Sequence, residues 1–461
     1  MNFSLSGRPQ VTVGDMAAAR EARAAKQRQM LQSGGMPLVC LTMNIAGPEK
    51  INGLIRQAFE EGMALVLDML NAHHAQVTHR EEQLAPTGPE AFFCVQGDPR
   101  QIKGLTVRIE DRDSLGRLLD IDVLGLDGTK VSRADIAQPP RRCLLCGEPV
   151  VACARSRRHS AGELFAAAMG LVRAHFERLF AEDISSFAVR ALLTELAATP
   201  KPGMVDRANS GAHGDMDFFT FLDSAAALAP YFHACARMGV QAASPGECFE
   251  SLRAEGALAE GRMLRVTGGA NTHRGAVFSL GILCAASGIA WSAGKGLGPE
   301  TLSSVAARMS APALKGELEG MKQAHTYGET LMKGRLAGAR AEAADGFPTA
   351  LRIALPRLDE ALAEGRTLND ACIRALMAIM AVAEDSVLLR RAGPERSEIV
   401  RKAAAELLGQ GCPEDGMTAF DRQCMMWNIS FGGSADLLAA ALFLRLARGS
   451  RWNPGAAESR A

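Results

Sequence analysis

The sequence lacks an excess of charge of either sign, since 51 lysine and arginine residues balance 51 aspartate and glutamate residues. A neutral chain produces no general field that attracts nucleic acid or an anionic membrane surface. We therefore expect neither partner, and any anionic ligand must be held by a local group of cations. Aromatic residues are also few, at 5% of the chain, while a hydrophobic content of 48% is typical of a soluble globular protein.

Three further absences bear on where the protein works. The N-terminus has no apolar run behind a basic start, so we expect no signal peptide. The most apolar stretch, residues 275–291, is short for a bilayer and rich in small residues, which favours a buried helix. The 11 cysteines are unevenly spaced, which indicates a reducing compartment without a disulfide framework. The sequence therefore predicts a cytoplasmic protein that does not enter a membrane.

The length of 461 residues is too much for a single core, so two or more domains are expected. In the first half, helical and strand patterns interleave, which predicts an α/β or α+β domain at residues 1–181. From residue 184 onward, alanine- and leucine-rich helical patterns dominate and predict an all-α domain at 182–461. The first helix is expected to be capped by Asp15. The predicted helices of the first half span 15–31 and 51–70, and its predicted strands span 37–45, 91–95 and 117–126.

A polar stretch at residues 199–217, TPKPGMVDRANSGAHGDMD, interrupts the helical half. Its prolines and glycines exclude a regular helix, because proline lacks an amide donor and glycine is conformationally loose. Loops held by a scaffold are where binding and catalytic groups concentrate, although a solvated connection between helices has the same composition. The candidate binding or catalytic residues here are Lys201, Asp206, Arg207, Asn209, His213, Asp215 and Asp217.

Four further polar islands separate the later helices. A glycine-rich segment that leads into a helix suits phosphate, because glycine allows close approach and a helix N-terminus presents free amides. Each island taken alone is also compatible with a simple connection. The islands are residues 267–281 with Asn271, His273 and Arg274; residues 338–348 with Arg340 and Glu342; residues 384–393 with Asp385 and Arg391; and residues 431–438, FGGSADLL.

In the first half, Asp120 and Asp122 lie in a predicted strand. Alternation places both carboxylates on one face, where a divalent cation such as Mg²⁺ would offset their repulsion. An exposed, solvated strand edge is the alternative. Arg117 just upstream is a candidate phosphate clamp. Lys50 follows a strand-to-helix turn at residues 44–50, NIAGPEK, and is a second candidate cation for an anion.

The segment 139–159, PPRRCLLCGEPVVACARSRRH, combines cysteines with arginines. Cys143 and Cys146 have the spacing of a zinc knuckle, with Cys153 and His159 as third and fourth ligands. Buried thiols without a metal are the alternative, since no second CxxC follows. The arginines of the segment, which suit a polyphosphate pocket, are Arg141, Arg142, Arg155, Arg157 and Arg158.

Taken in order, these features resemble two known families. The stretch 199–217 and the islands after it resemble the triphosphoribosyl-dephospho-CoA synthase family; Ala341 and Val387 stand where that family usually has glycine and asparagine. Three pieces of the first half resemble the apo-citrate lyase phosphoribosyl-dephospho-CoA transferase family, although Ala46 and Ser114 replace its usual prolines. The pieces are TGPEAFF at 87–93, IEDRDSLGRLLDIDV at 109–123, and PPRRCLLC followed by CARSRRH within 139–159.

The resemblance implies a fusion of two consecutive steps. The second half would join ATP and dephospho-CoA into 2′-(5″-triphosphoribosyl)-3′-dephospho-CoA and release adenine. The first half would transfer phosphoribosyl-dephospho-CoA to a serine of the citrate lyase acyl carrier protein, its γ subunit, and release pyrophosphate, with Asp120 and Asp122 holding Mg²⁺ at the α-phosphate. The nearest alternative is maturation of a malonate decarboxylase carrier protein. More distant alternatives are a metal-dependent nucleotide hydrolase or nucleotidyltransferase and a non-catalytic binding module.

Within that scheme the residues of the second half are expected to take distinct roles. Displacement of adenine from ribose passes through an oxocarbenium-like centre, which one carboxylate stabilises while a second deprotonates the attacking hydroxyl. Asp206, Asp215 and Asp217 are candidates for these two roles, and His213 is a candidate for protonating the leaving base. The cations expected to neutralise the triphosphate together with Mg²⁺ are Lys201, Arg207, Arg274 and Arg340.

Overall fold

The computed structural model describes residues 11–320 and 338–453, without the side chains of 318–320. Contacts divide these residues into two compact units, with the division between Glu177 and Arg178. The predicted boundary at 181/182 lies in the same helix, Ala161–Ala197, as this division.

A five-stranded sheet organises the first unit. Its strands are β1 (Leu38–Met43), β2 (Val77–Ala85), β3 (Gly88–Val95), β4 (Leu119–Leu124) and β5 (Lys130–Val131). Their order is β2-β3-β1-β4-β5, and every pairing is antiparallel. Of the two predicted classes, the unit is therefore α+β. The predicted strands β1, β3 and β4 are confirmed, whereas β2 and β5 were not predicted.

Helices cover both faces of this sheet. They are α1 (Val13–Gly34), α2 (Gly53–Ala72) and α3 (Pro99–Arg112), and the unit also contains α4 (Val150–Ser156) and the first part of α5 (Ala161–Ala197). Phe59 of α2 and Ile109 of α3 pack with Leu41 and Ile121 on one face. On the other face, Met30 of α1 packs with buried residues of β1 and β3.

The start of α1 corrects the expected cap. Thr12, rather than Asp15, is the N-cap residue: its side chain accepts a hydrogen bond from the Asp15 amide. The Asp15 carboxylate in turn accepts from the Thr12 amide at 2.8 Å. This reciprocal capping box uses both residues, with the acid at the third helical position.

The edge of β4 is closed by side chains of α3. The backbone amide of Ile121 donates to Oε1 of Glu110 at 2.9 Å, and Nζ of Lys103 donates to the Ile121 carbonyl at 2.6 Å. Both side chains are buried. They satisfy backbone groups that β5, which pairs only with Val123 and Leu124, leaves without a strand partner.

The second unit is mostly helical in the part that the structure describes, and no strand is found there, as the helical patterns predicted. After the end of α5 the described α-helices are α6 (Phe218–Gln241), α7 (Pro245–Val266), α8 (Arg274–Ser292), α9 (Pro299–Gly320), α10 (Gly338–Ala344), α11 (Leu355–Ala363), α12 (Leu368–Val382), α13 (Ser386–Gly409), α14 (Glu414–Met426) and α15 (Gly432–Arg448).

The apolar helix α8 is the centre of this unit. By length and composition alone it passes as a membrane span, but 72% of its apolar window is buried inside the protein. Its residues pack with α6 and α15 in one continuous core. The prediction of a buried helix at residues 275–291 is therefore confirmed.

Candidate active sites

The segment 199–217, called the signature loop below, is shaped by the buried carboxylate of Asp206. Its Oδ2 accepts the Lys201 amide at 2.9 Å, while its Oδ1 accepts the amides of Ala208 and Asn209 at 2.7 and 3.1 Å. Three backbone donors on one carboxylate fix the path of the loop. The structure thus gives Asp206 a structural role within the loop.

A second carboxylate, Asp421 of α14, attaches the loop to the rest of the unit. Its Oδ1 accepts the Gly203 amide at 2.8 Å, and its Oδ2 accepts Nδ2 of Asn209 at 3.1 Å. Gly203 has a positive φ of 69°, and a Cβ there would lie 2.2 Å from the carbonyl oxygen of Ile429. Only glycine fits this close approach. Asp421 was not among the residues predicted from the sequence.

Lys201 points into the protein instead of toward solvent. Its Nζ lies 2.5 Å from Oε1 of Glu195 near the end of α5. Both side chains are buried. Glu195 was not among the predicted site residues.

His213 and Arg391 meet at the far side of the loop. The His213 Nε2 lies 3.0 Å from Oγ of Ser430, and Nη1 of Arg391 donates to the Ala212 carbonyl at 3.2 Å. Burial, and then the nearby Arg391 charge, lower the pKa of His213. The exposed carboxylate of Asp215 opposes this shift.

Two other predicted residues of the loop make structural contacts. Asp217 is the N-cap of α6, where its Oδ1 accepts the amide and hydroxyl of Thr220 at 2.8 and 2.7 Å. Arg207 is exposed, and its Nη2 donates to Oδ1 of Asn369 at 3.2 Å. The same Asn369 oxygen accepts the Thr199 amide. Both residues therefore secure the ends of the loop.

His273 is buried at the start of α8. Its Nδ1 lies 2.7 Å from Oγ of Ser224, which also accepts the hydroxyl of Thr272. Its Nε2 has no hydrogen-bond partner among the described residues. Burial, followed by the Lys201 charge, lowers the pKa of His273 to about 3, so the imidazole is neutral near pH 7.

Asp385 connects the starts of two helices. Its Oδ1 accepts the amides of Val387 and Leu388 in α13, and its Oδ2 accepts the Ser434 amide of α15 at 2.8 Å. A Cβ on Gly433 would lie 3.1 Å from the carboxylate. Burial raises the pKa of Asp385 despite these donors.

Asp436 of α15 faces the start of α8. A Cβ on Gly275 would lie 1.8 Å from its Oδ2, so only glycine permits this approach. Burial raises the pKa of Asp436 well above its usual value, and the neighbouring carboxylates of Glu195 and Asp385 raise it further. A backbone hydrogen bond from Ala276 opposes this rise, so the carboxyl group of Asp436 keeps its proton to a higher pH than an ordinary aspartate. The sequence analysis noted its segment but did not select the residue.

The remaining predicted residues of the second unit are exposed or contact other parts of it. Asn271 is exposed, Arg274 pairs with Glu260 at 3.0 Å, and Arg340 lies 3.7 Å from Glu317. Glu342 accepts the amide and hydroxyl of Thr349 and so supports the next helical turn. Burial raises the pKa of Glu342.

The polar islands converge on residues 430–436, the segment that leads into α15 and forms its first turn. The signature loop reaches Ser430 through His213, the 267–281 island reaches Asp436 through Gly275, and the 384–393 island reaches Ser434 through Asp385. The 338–348 island approaches the last of these, since a Cβ on Gly338 would lie 3.2 Å from Oγ of Ser386. We call the buried side chains Glu195, Lys201, His273 and Asp385, together with the half-buried Asp436 beside them, the buried cluster.

In the first unit, Asp120 and Asp122 share one face of β4, as predicted from the alternation. Oδ1 of Asp120 lies 3.3 Å from Nη1 of Arg141, and Oδ1 of Asp122 lies 2.5 Å from Nζ of Lys130. Each carboxylate is thus neutralised by its own cation.

The predicted phosphate-binding cations of the first unit include two that donate to backbone carbonyls and two that are exposed to solvent. Arg117 donates to the Cys143 carbonyl at 3.1 Å, and Nζ of Lys50 donates to the Ile45 carbonyl at 2.5 Å. Burial, and then Arg20, lower the pKa of Lys50. Arg142 and Arg155 are exposed.

The predicted zinc ligands come together in space. The donor atoms of Cys143, Cys146, Cys153 and His159 all lie within 4.8 Å of one another. Burial raises the pKa of Cys143, but hydrogen bonds from the amides of Cys146 and Leu145 and from neighbouring thiols lower it to about 7 overall.

Known families match both units. Residues 181–454 match the family described as ATP:dephospho-CoA triphosphoribosyl transferase. Residues 11–175 match the family described as apo-citrate lyase phosphoribosyl-dephospho-CoA transferase.

Individual relatives match nearly the whole chain. Protein CitXG of Haemophilus influenzae is 33% identical over 472 residues, covering 97% of this chain and 98% of that protein. Protein CitXG of Leuconostoc mesenteroides is 32% identical over 460 residues, covering 94% of this chain and 96% of that protein. A 2-(5''-triphosphoribosyl)-3'-dephosphocoenzyme-A synthase of Pectobacterium atrosepticum is 36% identical over 282 residues, covering 60% and 94%. The chain therefore belongs to the CitXG family and is a bifunctional transferase of citrate lyase prosthetic-group maturation, with an apo-citrate lyase phosphoribosyl-dephospho-CoA transferase domain followed by an ATP:dephospho-CoA triphosphoribosyl transferase domain.

Proposed function

We propose that the second unit joins ATP and dephospho-CoA at the buried cluster and releases adenine. The observation that carries this placement is the convergence of the polar islands on the start of α15. Three helix starts, those of α8, α13 and α15, lie around Asp385 and Asp436. Helix N-termini favour anionic groups, and although Asp385 accepts amides of α13 and α15, we place the triphosphate of ATP beside these helix starts.

Asp436 is the proposed proton donor to adenine. In the reaction the bond between the ribose C1″ and adenine breaks, and a bond forms from C1″ to the 2′-hydroxyl of dephospho-CoA. Adenine departs more readily when protonated, and the raised pKa of the Asp436 carboxyl group favours the protonated form that a proton donor needs. Once ionised, the same carboxylate would stabilise the cationic ribose.

His213 suits this donor role less well. Burial and the charge of Arg391 lower the pKa of the imidazole below its usual value. The protonated form, which a proton donor to adenine requires, is therefore disfavoured. Asp206 and Asp217 are engaged by backbone amides, which favours structural roles for both. Asp215 is exposed and remains the candidate for taking the proton of the attacking hydroxyl.

The cations of this unit fall into two groups. Lys201 is held by Glu195 inside the protein, where its charge adds to the effect of burial in lowering the pKa of His273. Arg207, Arg274 and Arg340 are exposed and suit the outer phosphates. Mg²⁺, which such reactions on ATP use, would reduce the charge of the triphosphate when bound.

In the first unit, we place the transfer to the carrier protein beside Asp120 and Asp122. Two carboxylates on one strand face fit a Mg²⁺ ion, although Arg141 and Lys130 now neutralise them. The ion would replace these cations as partners of the carboxylates. It would supply charge at the α-phosphate while pyrophosphate leaves.

The carrier is proposed to be the citrate lyase acyl carrier protein, the γ subunit. The malonate decarboxylase carrier is the second candidate, because the same prosthetic group is attached to it. Incubation of the chain and the triphosphoribosyl donor with each purified apo-carrier, followed by intact-mass measurement, decides between them. A mass increase on the malonate decarboxylase carrier alone would reject the citrate lyase assignment. The reaction is proposed to take place in the cytoplasm.

The test of the first step is the identity of the released base. The chain with ATP, Mg²⁺ and dephospho-CoA should release free adenine, detected by chromatography, and release should depend on dephospho-CoA. ADP or AMP as the only product would reject the synthase step. Adenine release that continues without dephospho-CoA would indicate a nucleotide hydrolase instead.

A further inference from the structure

Segment 141–159 of the first unit folds as a knuckle followed by a helical turn. Arg142 and Pro149 pair as an antiparallel bridge, the Cys143 amide donates to the Glu148 carbonyl at 2.7 Å, and the Gly147 amide donates back to the Cys143 carbonyl. Gly147 takes a positive φ of 73°, which a knuckle needs at its tight turn. The turn directs the side chains of Cys143 and Cys146 to the same side.

The helix α4 supplies the third thiol. Sγ of Cys153 lies 3.5 Å from Sγ of Cys143. A disulfide bond requires about 2.05 Å between sulfurs, so the two are not bonded to each other. Ligands of a tetrahedral zinc ion with Zn–S bonds of about 2.3 Å lie about 3.8 Å apart. The observed separation is close to that value.

His159 supplies an independent sign of a missing partner. Its Nε2 is buried and has no hydrogen-bond partner among the described residues. A buried polar atom without a partner is costly, and coordination or a hydrogen bond normally satisfies it. Its ring belongs to the same group of four donors within 4.8 Å. Thiols packed as ordinary apolar side chains would not require an imidazole among them.

We propose that Cys143, Cys146, Cys153 and His159 bind one Zn²⁺ ion in a closed tetrahedral site. Three thiolates and one imidazole suit zinc better than Mg²⁺, which prefers oxygen ligands. Four protein ligands leave no open position for substrate, so the ion is structural. This inference rests on the first unit alone and does not depend on the proposed chemistry.

The site has a consequence for the proposed transfer centre. Arg117 donates to the Cys143 carbonyl, and Arg141, whose carbonyl accepts the Val150 amide across the knuckle, lies beside Asp120. A metal that holds the knuckle closed would also position these two arginines. Loss of the metal should therefore weaken carrier modification more than adenine release.

The experiment measures metal in the full-length protein purified without chelators. Elemental analysis should give about one zinc per chain, and replacement by Co²⁺ should give the thiolate charge-transfer and intense visible bands of tetrahedral cobalt. An organomercurial that reacts with the three ligand cysteines should release the zinc. A chromogenic chelator detects the released ion. Zinc below about 0.1 per chain, both as purified and after addition of Zn²⁺ under reducing conditions, would overturn the proposal.

Matched variants assign the ligands. Cys146→Ser and His159→Gln should lower bound zinc several-fold, whereas Cys412→Ser, a half-buried cysteine of the second unit, should leave it unchanged. If the ligand variants do not fold, protection of Cys143, Cys146 and Cys153 from alkylation in the wild-type chain, lost on metal removal, supports the site. Equal zinc content in all three variants, or a Cys143–Cys153 disulfide in the freshly purified protein, would reject it.

Discussion

The Nζ of Lys201 lies 2.5 Å from Oε1 of Glu195, and only 2% and 5% of the two side chains are exposed. Glu195 lies near the end of α5 and Lys201 in the signature loop, so one charge pair joins the loop to that helix. A buried pair contributes little against an apolar replacement, but removal of one partner leaves an unpaired buried charge. The pair therefore stabilises the position of the loop.

We predict that Lys201→Met strongly destabilises the second unit. The unpaired Glu195 carboxylate should cost about 3–5 kcal/mol in the free energy of unfolding, measured by urea denaturation. Lys402→Ala is the control, because its pair with Glu398 is exposed and should contribute less than about 1 kcal/mol. Equal effects of the two substitutions would show that burial does not matter here.

Asp436→Asn should abolish adenine release while the protein stays folded. Asparagine resembles the protonated carboxyl in shape and charge but cannot donate its proton to adenine as an acid, so a loss of at least ~10²-fold, about 3 kcal/mol, is expected. Asp415→Asn on the surface of α14 is the control. Activity of the Asp436 variant close to wild type would remove this residue from the proposed mechanism.

Asp436 should also affect how the free energy of unfolding depends on pH. Because the folded pKa of Asp436 is raised, the folded state binds the proton more tightly than the unfolded state. Its contribution is complete below the unfolded pKa, about 4, and is lost as pH rises through the folded pKa. Unfolding measured in urea across this window should have a smaller pH slope in Asp436→Asn. An unchanged slope would contradict the raised pKa.

Asp120→Asn and Asp122→Asn should separate the two reactions. If these carboxylates hold Mg²⁺, carrier modification with a supplied triphosphoribosyl donor should fall at least ~10²-fold, or about 3 kcal/mol. Adenine release should continue, since the synthase residues belong to the other unit. Intact mass of the carrier provides the measurement, and Asp127→Asn in the exposed turn after β4 is the control. Normal modification by both variants would leave the carboxylates as surface residues.

A fragment of the second unit tests the domain boundary. Phe180 is fully buried, stacks on Trp291 at a centroid distance of 4.7 Å, and contacts Trp452 edge-on. A fragment from residue 182 lacks this ring, so it should fold and release adenine but be about 3–5 kcal/mol less stable than one from residue 174. Phe180→Ala in the longer fragment should reproduce the loss. Equal midpoints in urea would show that the ring contributes nothing.

Local patterns in the sequence were sufficient for part of the fold. The apolar runs that became β1, β3 and β4 carry their signal within a few residues, as does the helical spacing of α2. The strand β2 has the sequence VTHREEQLA, and all of its residues are exposed or half-buried at the edge of the sheet. Without a buried face it shows no alternation. Asp15 was misassigned because Thr12 and Asp15 are both good capping residues.

The sequence indicated the signature loop as a candidate site, but it did not indicate the distant side chains that contact this loop. The signature loop was recognisable because its polar residues are consecutive. Asp421 meets Gly203 from 218 positions away, and it is a single carboxylate on an ordinary helix. Glu195 and Asp436 are likewise isolated acids on apolar helices. Their importance arises from the packing of distant segments, which local spacing does not record.

Lys103 and Glu110 form hydrogen bonds with the carbonyl and the amide of Ile121 in β4. These bonds bear on whether the protein associates with itself. An open strand edge is a template on which an extended segment of another protein can pair. Here the amide and carbonyl of Ile121 already have side-chain partners. Pairing of another strand at this position would first have to displace the two buried side chains of Lys103 and Glu110. The opposite edge, β2, carries the ion pairs of Arg80 with Glu82 and Lys26 with Glu81. We therefore expect the sheet to resist edge-to-edge aggregation when the protein is concentrated.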